Sequence, residues 1–311
     1  VIDREPFIRP SSMAAIEECP GRPLMEARIC ALVPALRDLV SEPARQGTLG
    51  HSALAGVLGD AFAGDWSRAQ EVIAGIEGRM AGMAYWTKDA TRAALAYGLG
   101  AIQRMANSYR SIRILVEHRL AGACIEVPSG GSADLIILCY HAHSIARAVV
   151  IDWKLGWCSQ GEAGDHLQLG CYAAMTWNVY TPPEGVEVHL AMGRRREFSA
   201  AMYDRQAIDG IRSRIKACVR AARAEAPTLR PSIHACRYCR ALVLCRAARE
   251  EKIMTSIEQF ALFGAEPSER IALQEAVAMA KRFAAEGDAL MKLWRAQEAE
   301  AHQSTHAVST T

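Results

Sequence analysis

Two short apolar runs separated by a polar break stand out along the chain, residues 135–140 and 148–154, with 141–147 between them. Both are rich in Ile, Val and Leu and are short enough to be strands, so a β-hairpin with its turn at 141–147 is predicted. Residues 112–120 predict a strand before the hairpin, 123–127 a return strand, and 186–192 a later strand in which apolar and polar residues alternate. Helical periodicity accounts for much of the rest. Ser11 and Ser12 cap a turn over 13–18, which Cys19-Pro20-Gly21 ends at an exposed corner. Thr48 is expected to cap a helix with His51 in its first turn. Residues 69–110 read as two or three helices whose limits are blurred by glycines at 75, 78, 82, 98 and 100. Further helices are expected from Asp165 to about Tyr180, over 204–224, and from Ser268 through Trp294. Residues 303–311 are polar, as expected of a disordered tail. The pattern is that of an α/β protein without internal repeats.

Composition narrows this picture. With 311 residues, half of them apolar, the chain can build one large domain or two small ones with a real core. A net charge of +2 excludes a global basic field. The positive charge is mostly arginine, whose planar fork fits phosphate oxygens, although a GC-rich genome enriches arginine as well. No apolar stretch approaches the roughly 20 residues of a membrane span, and Val1-Ile2-Asp3-Arg4-Glu5-Pro6 has no signal-peptide core, so a cytoplasmic protein is expected. Ten cysteines in that setting point to metal ligands or buried thiols, not disulfides.

The chemistry collects around the hairpin. Side chains alternate along a strand, so Asp152 and Lys154 share one face and Trp153 takes the other. The start of one hairpin strand lies beside the end of the next, which lets Asp134 meet Asp152 and Lys154. Two carboxylates and an ammonium at one sheet edge describe a metal site beside a lysine that positions water or stabilises charge. On the following helix Gln168 and Tyr172 are four residues apart and share a face. Near the other end, Cys236, Cys239 and Cys245 form Cys-x2-Cys-x5-Cys, three thiolates that converge on an iron–sulfur cluster or zinc. Cys19 is the natural fourth ligand; His234 is the alternative and favours zinc. Cysteines 30, 124, 139, 158, 171 and 218 sit in apolar or helical settings and read as structural. Arg194-Arg195-Arg196, and Arg205, Arg212, Lys216, Arg220 and Arg223 on the next helix, suit either a solvated surface or a phosphate backbone.

Taken in order, these motifs resemble the PD-(D/E)XK nuclease core, most closely its RecB-like branch, which includes the CRISPR-associated iron–sulfur exonucleases and the AddB nuclease domain. The resemblance rests on Cys19, Gly47-Thr48-x-x-His51, Gly131 with Asp134, Asp152-Trp153-Lys154, Gln168-x-x-x-Tyr172 and the Cys236/Cys239/Cys245 cluster. Asp152 stands where Glu is commoner, an alternative of that branch. The opening Ser11-Ser12…Cys19-Pro20 and the arginine-rich cysteine segment look most like phage-encoded members. The resemblance implies a restriction-endonuclease-like core, a mixed central sheet flanked by helices, over residues 1–250. It also implies a helical insertion at about 55–110 and a clasp in which Cys19 and 236–245 hold a 4Fe–4S cluster. Residues 251–311 would be a helical extension.

For function, the resemblance implies Mg²⁺ or Mn²⁺ held by His51, Asp134, Asp152 and the Trp153 carbonyl, with Lys154 acting on water or developing charge. Gln168 and Tyr172 would support the site or contact DNA. Glu117 resembles a frequent Glu on the family's first strand and reads equally well as solvated or salt-bridged. The implied activity is exonucleolytic hydrolysis of DNA at single-stranded ends, with a homo-oligomer or a recombination protein as further partners and no membrane. Two other classes are a catalytically silent DNA-binding partner in a phage recombination complex and a zinc-stapled binding protein. No Gly-x4-Gly-Lys-Ser/Thr motif occurs, so the chain is expected to carry no motor of its own.

Overall fold

The structure is a computed structural model, and it describes residues 8–32, 42–62, 69–127, 129–156, 161–236, 239–242, 245–251 and 253. The predicted helix from Ser268, the tail at 303–311 and Cys158 lie outside the described residues. The chain divides into two compact units. One comprises Phe7–Glu17 and Val40–Ala224; the other comprises Val1–Pro6, Glu18–Leu39 and Glu225–Thr311.

The first unit is built on a mixed five-stranded sheet in the order β1 (Ser111–Leu120), β2 (Gly131–His141), β3 (Ser144–Lys154), β4 (Val186–Met192), β5 (Glu197–Tyr203). Neighbouring strands are antiparallel except β3 and β4, which are parallel. A parallel pair needs a crossover. Here it contains the helix Leu167–Tyr180, which sits directly after the Asp152-Trp153-Lys154 end of β3.

Alternation along the central strands separates two cores. Ile136, Leu138, Ala148, Val150, Val188 and Leu190 face one way and join Leu169, Ala173, Ile208, Ile211 and Ile215. Leu135, Ile137, Val149, Ile151, Trp153 and Ala191 face the other and join Leu54, Leu58, Leu95 and Ile102. Numbered in chain order, the helices are α1 (Met13–Glu18), α2 (Arg22–Leu32), α3 (Glu42–Phe62), α4 (Ala69–Arg79), α5 (Tyr85–Ser108), α6 (Leu167–Tyr180), α7 (Arg205–Ala222), α8 (Ile233–Cys236) and α9 (Arg246–Glu250). Thus α6 and α7 cover the first face, and α3 and α5 the second. Among the described residues no helix is long and apolar enough to cross a membrane.

Several expectations need correction. The hairpin turn is only Ala142-His143, with Ala142 at φ 54°; residues 144–147 are strand because the β2–β3 ladder continues through Ser144, Ile145 and Arg147. Residues 123–127 form no return strand: Ala123–Ile125 is a 3-10 turn, and Ile125 and Val127 go directly into the core. Thr48 caps nothing. It lies inside α3, where its hydroxyl donates to the Ala44 carbonyl at 3.0 Å, and His51 is in the middle of that helix. Strand β5 has no counterpart in the sequence reading, because Glu-Phe-Ser-Ala-Ala-Met-Tyr becomes a strand by pairing with β4.

Trp153 shows how closely a helix must approach the sheet. It is buried against α5, and a Cβ built at Gly98 would lie 2.6 Å from its ring. Gly98→Ala is therefore expected to lower unfolding stability by about 1–3 kcal/mol through overpacking. Gly100, two residues on, has only Arg104 at 3.6 Å. Gly100→Ala should gain roughly 0.5–1 kcal/mol from helix propensity. Urea denaturation of the two variants measures both signs.

Candidate functional site

The site begins where the β2–β3 ladder runs out. The last paired rung there is Leu135 with Ile151. Beyond it the Trp153 N–H donates to Asp134 Oδ2 at 2.7 Å, so a side-chain carboxylate takes over from the backbone acceptor. The other oxygen, Oδ1, lies 3.3 Å from Nδ1 of His51 on α3. On the opposite side, the β1–β2 register passes from Val116–Leu135 to His118–Ala133 and leaves Glu117 out of the ladder at φ 46°. The register is the same on both sides, so Glu117 lies opposite Asp134, and a left-handed non-glycine residue inside a strand is a strained conformation of the sort found at functional sites. Donor atoms of His51, Glu117 and Asp134 all lie within 4.8 Å of one another, and no other group of three potential ligands among the described residues does so. Together with Ala44, Gly47, Thr48, Ser52 and Ala55 of α3 they line an open pocket.

Beside this group, Asp152, Lys154 and Gln168 close a ring. Lys154 Nζ lies 2.7 Å from Asp152 Oδ2 and donates to Gln168 Oε1 at 2.9 Å. Gln168 Nε2 donates to Asp152 Oδ1 at 2.9 Å and to the Tyr172 hydroxyl at 3.3 Å. Only this orientation of the amide lets it serve an ammonium and a carboxylate at once. Asp152 Oδ2 is buried and accepts no aligned hydrogen bond among the described residues; Lys154 is close to it but meets it as an ion pair.

The charges strain against one another. Burial raises the pKa of Asp152, Lys154 pulls it back, and Asp134 adds to the rise. Desolvation and then the Asp134 charge raise that of Glu117. Burial opposes protonation of His51, but the hydrogen bond and charge of Asp134, with Asp152 behind them, outweigh it and hold its pKa above the usual histidine value. Carboxylates crowded in this way hold their protons more tightly and mark a candidate place for a cation.

His166, just before α6, was not singled out in the sequence, where nothing around it marks it. It is buried, and Nδ1 has no hydrogen-bond partner among the described residues. Burial, helped by Lys154, drives its pKa down to about 4, so the ring is neutral.

The second unit contains a different constellation. Cys19, Cys236, Cys239 and Cys245 line one pocket with Arg22, Met25, Leu229, Pro231, Ala235, Ala241 and Leu242. All four cysteines are buried. The Cys19-Pro20-Gly21 corner is therefore not exposed. It packs on 227–230, with the Gly21 N–H on the Thr228 carbonyl at 2.9 Å and the Arg230 N–H on Cys19 Sγ at 3.4 Å. A Cβ at Gly21 would come within 2.6 Å of Leu229, which explains a glycine there. Backbone bonds from Cys239 to Cys236, Leu242 to Cys239 and Cys245 to Ala241 wind the three late cysteines around the pocket. No three of the four sulfurs come within 4.8 Å of one another. Burial raises the Cys236 thiol and takes Cys239 up to about 12, so both are protonated without a metal.

A family model described as a protein of unknown function, DUF2800, matches residues 11–306. The chain belongs to this family. No curated protein matches it.

In this member of the family, His51 and Asp134 come together as expected, and Glu117 joins them. Asp152 stands outside that group, its carboxylate engaged by Lys154 and Gln168. Trp153 supplies its N–H to Asp134 and pairs with Ala191 in the β3–β4 ladder. The arginines offered for phosphate contact mostly have acidic partners. Arg195 pairs with Glu197, Arg196 with Asp89, Arg212 with Asp209, and Arg220 and Lys216 with Glu126, while Arg194 stacks on Trp86.

The raised pKa of His51 has a consequence for stability. A histidine raised by folding contributes stability below its unfolded pKa and loses it as pH rises through the folded value. With chelator present, thermal unfolding of the wild type should weaken more between about pH 6 and pH 8 than that of His51→Gln. Parallel curves would remove Asp134 as the cause.

Proposed function

We propose that this chain is a divalent-metal-dependent deoxyribonuclease of the RecB-like PD-(D/E)XK type, acting as an exonuclease on single-stranded DNA ends and carrying a structural 4Fe–4S cluster. The observation that carries this reading is the adjacency of His51, Glu117 and Asp134 to the closed ring of Asp152, Lys154 and Gln168. A structural scaffold has no use for two buried carboxylates, Asp134 and Asp152, brought together with His51, Glu117 and Lys154.

One imidazole and several carboxylate oxygens suit Mg²⁺ or Mn²⁺. His51, Glu117 and Asp134 would hold the ion, with Asp152 and its ion-paired Lys154 beside them. When bound, the ion supplies positive charge that polarises a phosphodiester and makes a water more acidic. The chain's own residues do the remaining work. Asp134, fixed by the Trp153 N–H, keeps one oxygen turned to His51. Lys154 offers an ammonium to the negative charge that develops on the phosphate. Gln168 holds that ammonium and Asp152 in fixed relation, and Tyr172 backs Gln168.

Four buried cysteines lining one pocket suit a thiolate-ligated centre, an iron–sulfur cluster or zinc, and the resemblance to the iron–sulfur nucleases favours the cluster. Because Cys19 and 236–245 belong to one unit, the cluster would join segments far apart in sequence.

The reading predicts that anaerobically purified protein with Mn²⁺ shortens end-labelled single-stranded DNA. Lys154→Met and Asp152→Asn should each lower the rate by about 10²–10³-fold. Wild-type protein that folds and binds DNA but never cuts it would favour the silent binding partner. Metal analysis should give about four iron atoms per chain, absent from Cys239→Ser. Zinc in their place would replace the cluster with a staple.

A further inference from the structure

Arg22 is a charged residue without an evident reason to be where it is. It opens α2 three residues after Cys19, and its side chain is only 16% exposed. Its Nη1 donates to the Ala235 carbonyl at 2.9 Å, one residue from Cys236, and its Nε donates to Glu26 at 3.0 Å. Glu26 also accepts the N–H of Arg240, the residue after Cys239, at 3.1 Å. The guanidinium is thus tied to backbone on one side of the cysteine segment and its carboxylate partner to the other. Of the two, Arg22 lines the pocket and Glu26 does not. The positive end of the pair is thus the one turned toward the thiols.

We propose that Arg22 is the counter-charge of the centre bound by Cys19, Cys236, Cys239 and Cys245, and that the Arg22–Glu26 pair sets how readily that centre accepts an electron and how firmly it is held. The claim rests on the reading of the pocket as a thiolate-ligated centre. Four thiolates place more negative charge in the pocket than the metal cancels, and a one-electron reduction adds another unit. A buried cation beside the sulfurs offsets both, and burial makes its contribution larger than it would be in water. A purely structural Arg22 would need only its hydrogen bonds to Ala235 and Glu26.

Charge and hydrogen bonding can be separated by substitution. Arg22→Gln retains a donor and loses the charge; Arg22→Lys keeps the charge; Glu26→Gln keeps an acceptor for Arg240 and removes the opposing charge. Full-length protein is reconstituted anaerobically with ferric iron, a thiol reductant and sulfide. Its midpoint potential is read by dithionite titration, dithionite supplying the electron, with electron paramagnetic resonance of the reduced form. Arg22→Gln should shift the potential negative, Glu26→Gln positive, and Arg22→Lys should stay near wild type. Shifts of the same sign in the two Gln variants, or none at full iron content, overturn the proposal. If the pocket takes zinc, the cluster reading fails, and the claim is judged on zinc transfer to a chelator. Arg22→Gln should then release zinc several-fold faster and Glu26→Gln more slowly; equal rates overturn it. A pocket that binds neither metal overturns both readings.

Discussion

A carboxylate stands where a backbone carbonyl would otherwise continue the β2–β3 ladder, and the site depends on that substitution. The bond from the Trp153 N–H to Asp134 at 2.7 Å closes the end of the β2–β3 ladder and fixes one carboxylate oxygen. It leaves the other oxygen facing His51 and Glu117. Losing a buried acceptor of this kind costs roughly 1–3 kcal/mol, because the orphaned N–H has no water to turn to. Trp153 in turn is locked by its ring against Gly98, so helix packing on one face of the sheet determines the carboxylate geometry at its edge.

The electrostatics of the sheet unit and of the cysteine unit follow one logic. In each, groups able to bind a metal are crowded together and hold their protons more tightly than usual. In the sheet unit Asp152, Glu117 and His51 all have raised proton affinity. In the cysteine unit Cys236 and Cys239 are raised by burial. Bound cations would offset this at both places, and binding would release protons. By contrast, the surface arginines are largely neutralised by neighbouring acids, which agrees with a net charge of only +2.

Much of this was legible from the residues. Alternation around Asp134 and Asp152-Trp153-Lys154 foretold the hairpin and the opposite facing of Trp153, and the four-residue spacing of Gln168 and Tyr172 their shared helical face. What could not be read depended on register. Glu117 looks like any acidic residue in a strand until the register that sets it opposite Asp134, and its left-handed backbone, are known. Gly47 and Gly50 around Thr48 imitate a helix start, yet α3 begins at Glu42, because tertiary packing overrides glycine's low propensity. Strand β5 is alanine-rich and takes its conformation from β4. The buried corner at Cys19 could not be seen either, since the 227–230 segment that covers it lies some two hundred residues away in sequence.

The central claim is that His51, Glu117 and Asp134 form a cation site. Calorimetric titration of the full chain with Mn²⁺ tests this without reference to any substrate. The account predicts saturable binding with proton release, weakened by Glu117→Gln and abolished by Asp134→Asn, which keeps an oxygen for the Trp153 N–H and so keeps the fold. Wild-type affinity retained in Asp134→Asn, or no binding by the wild type at all, would contradict it.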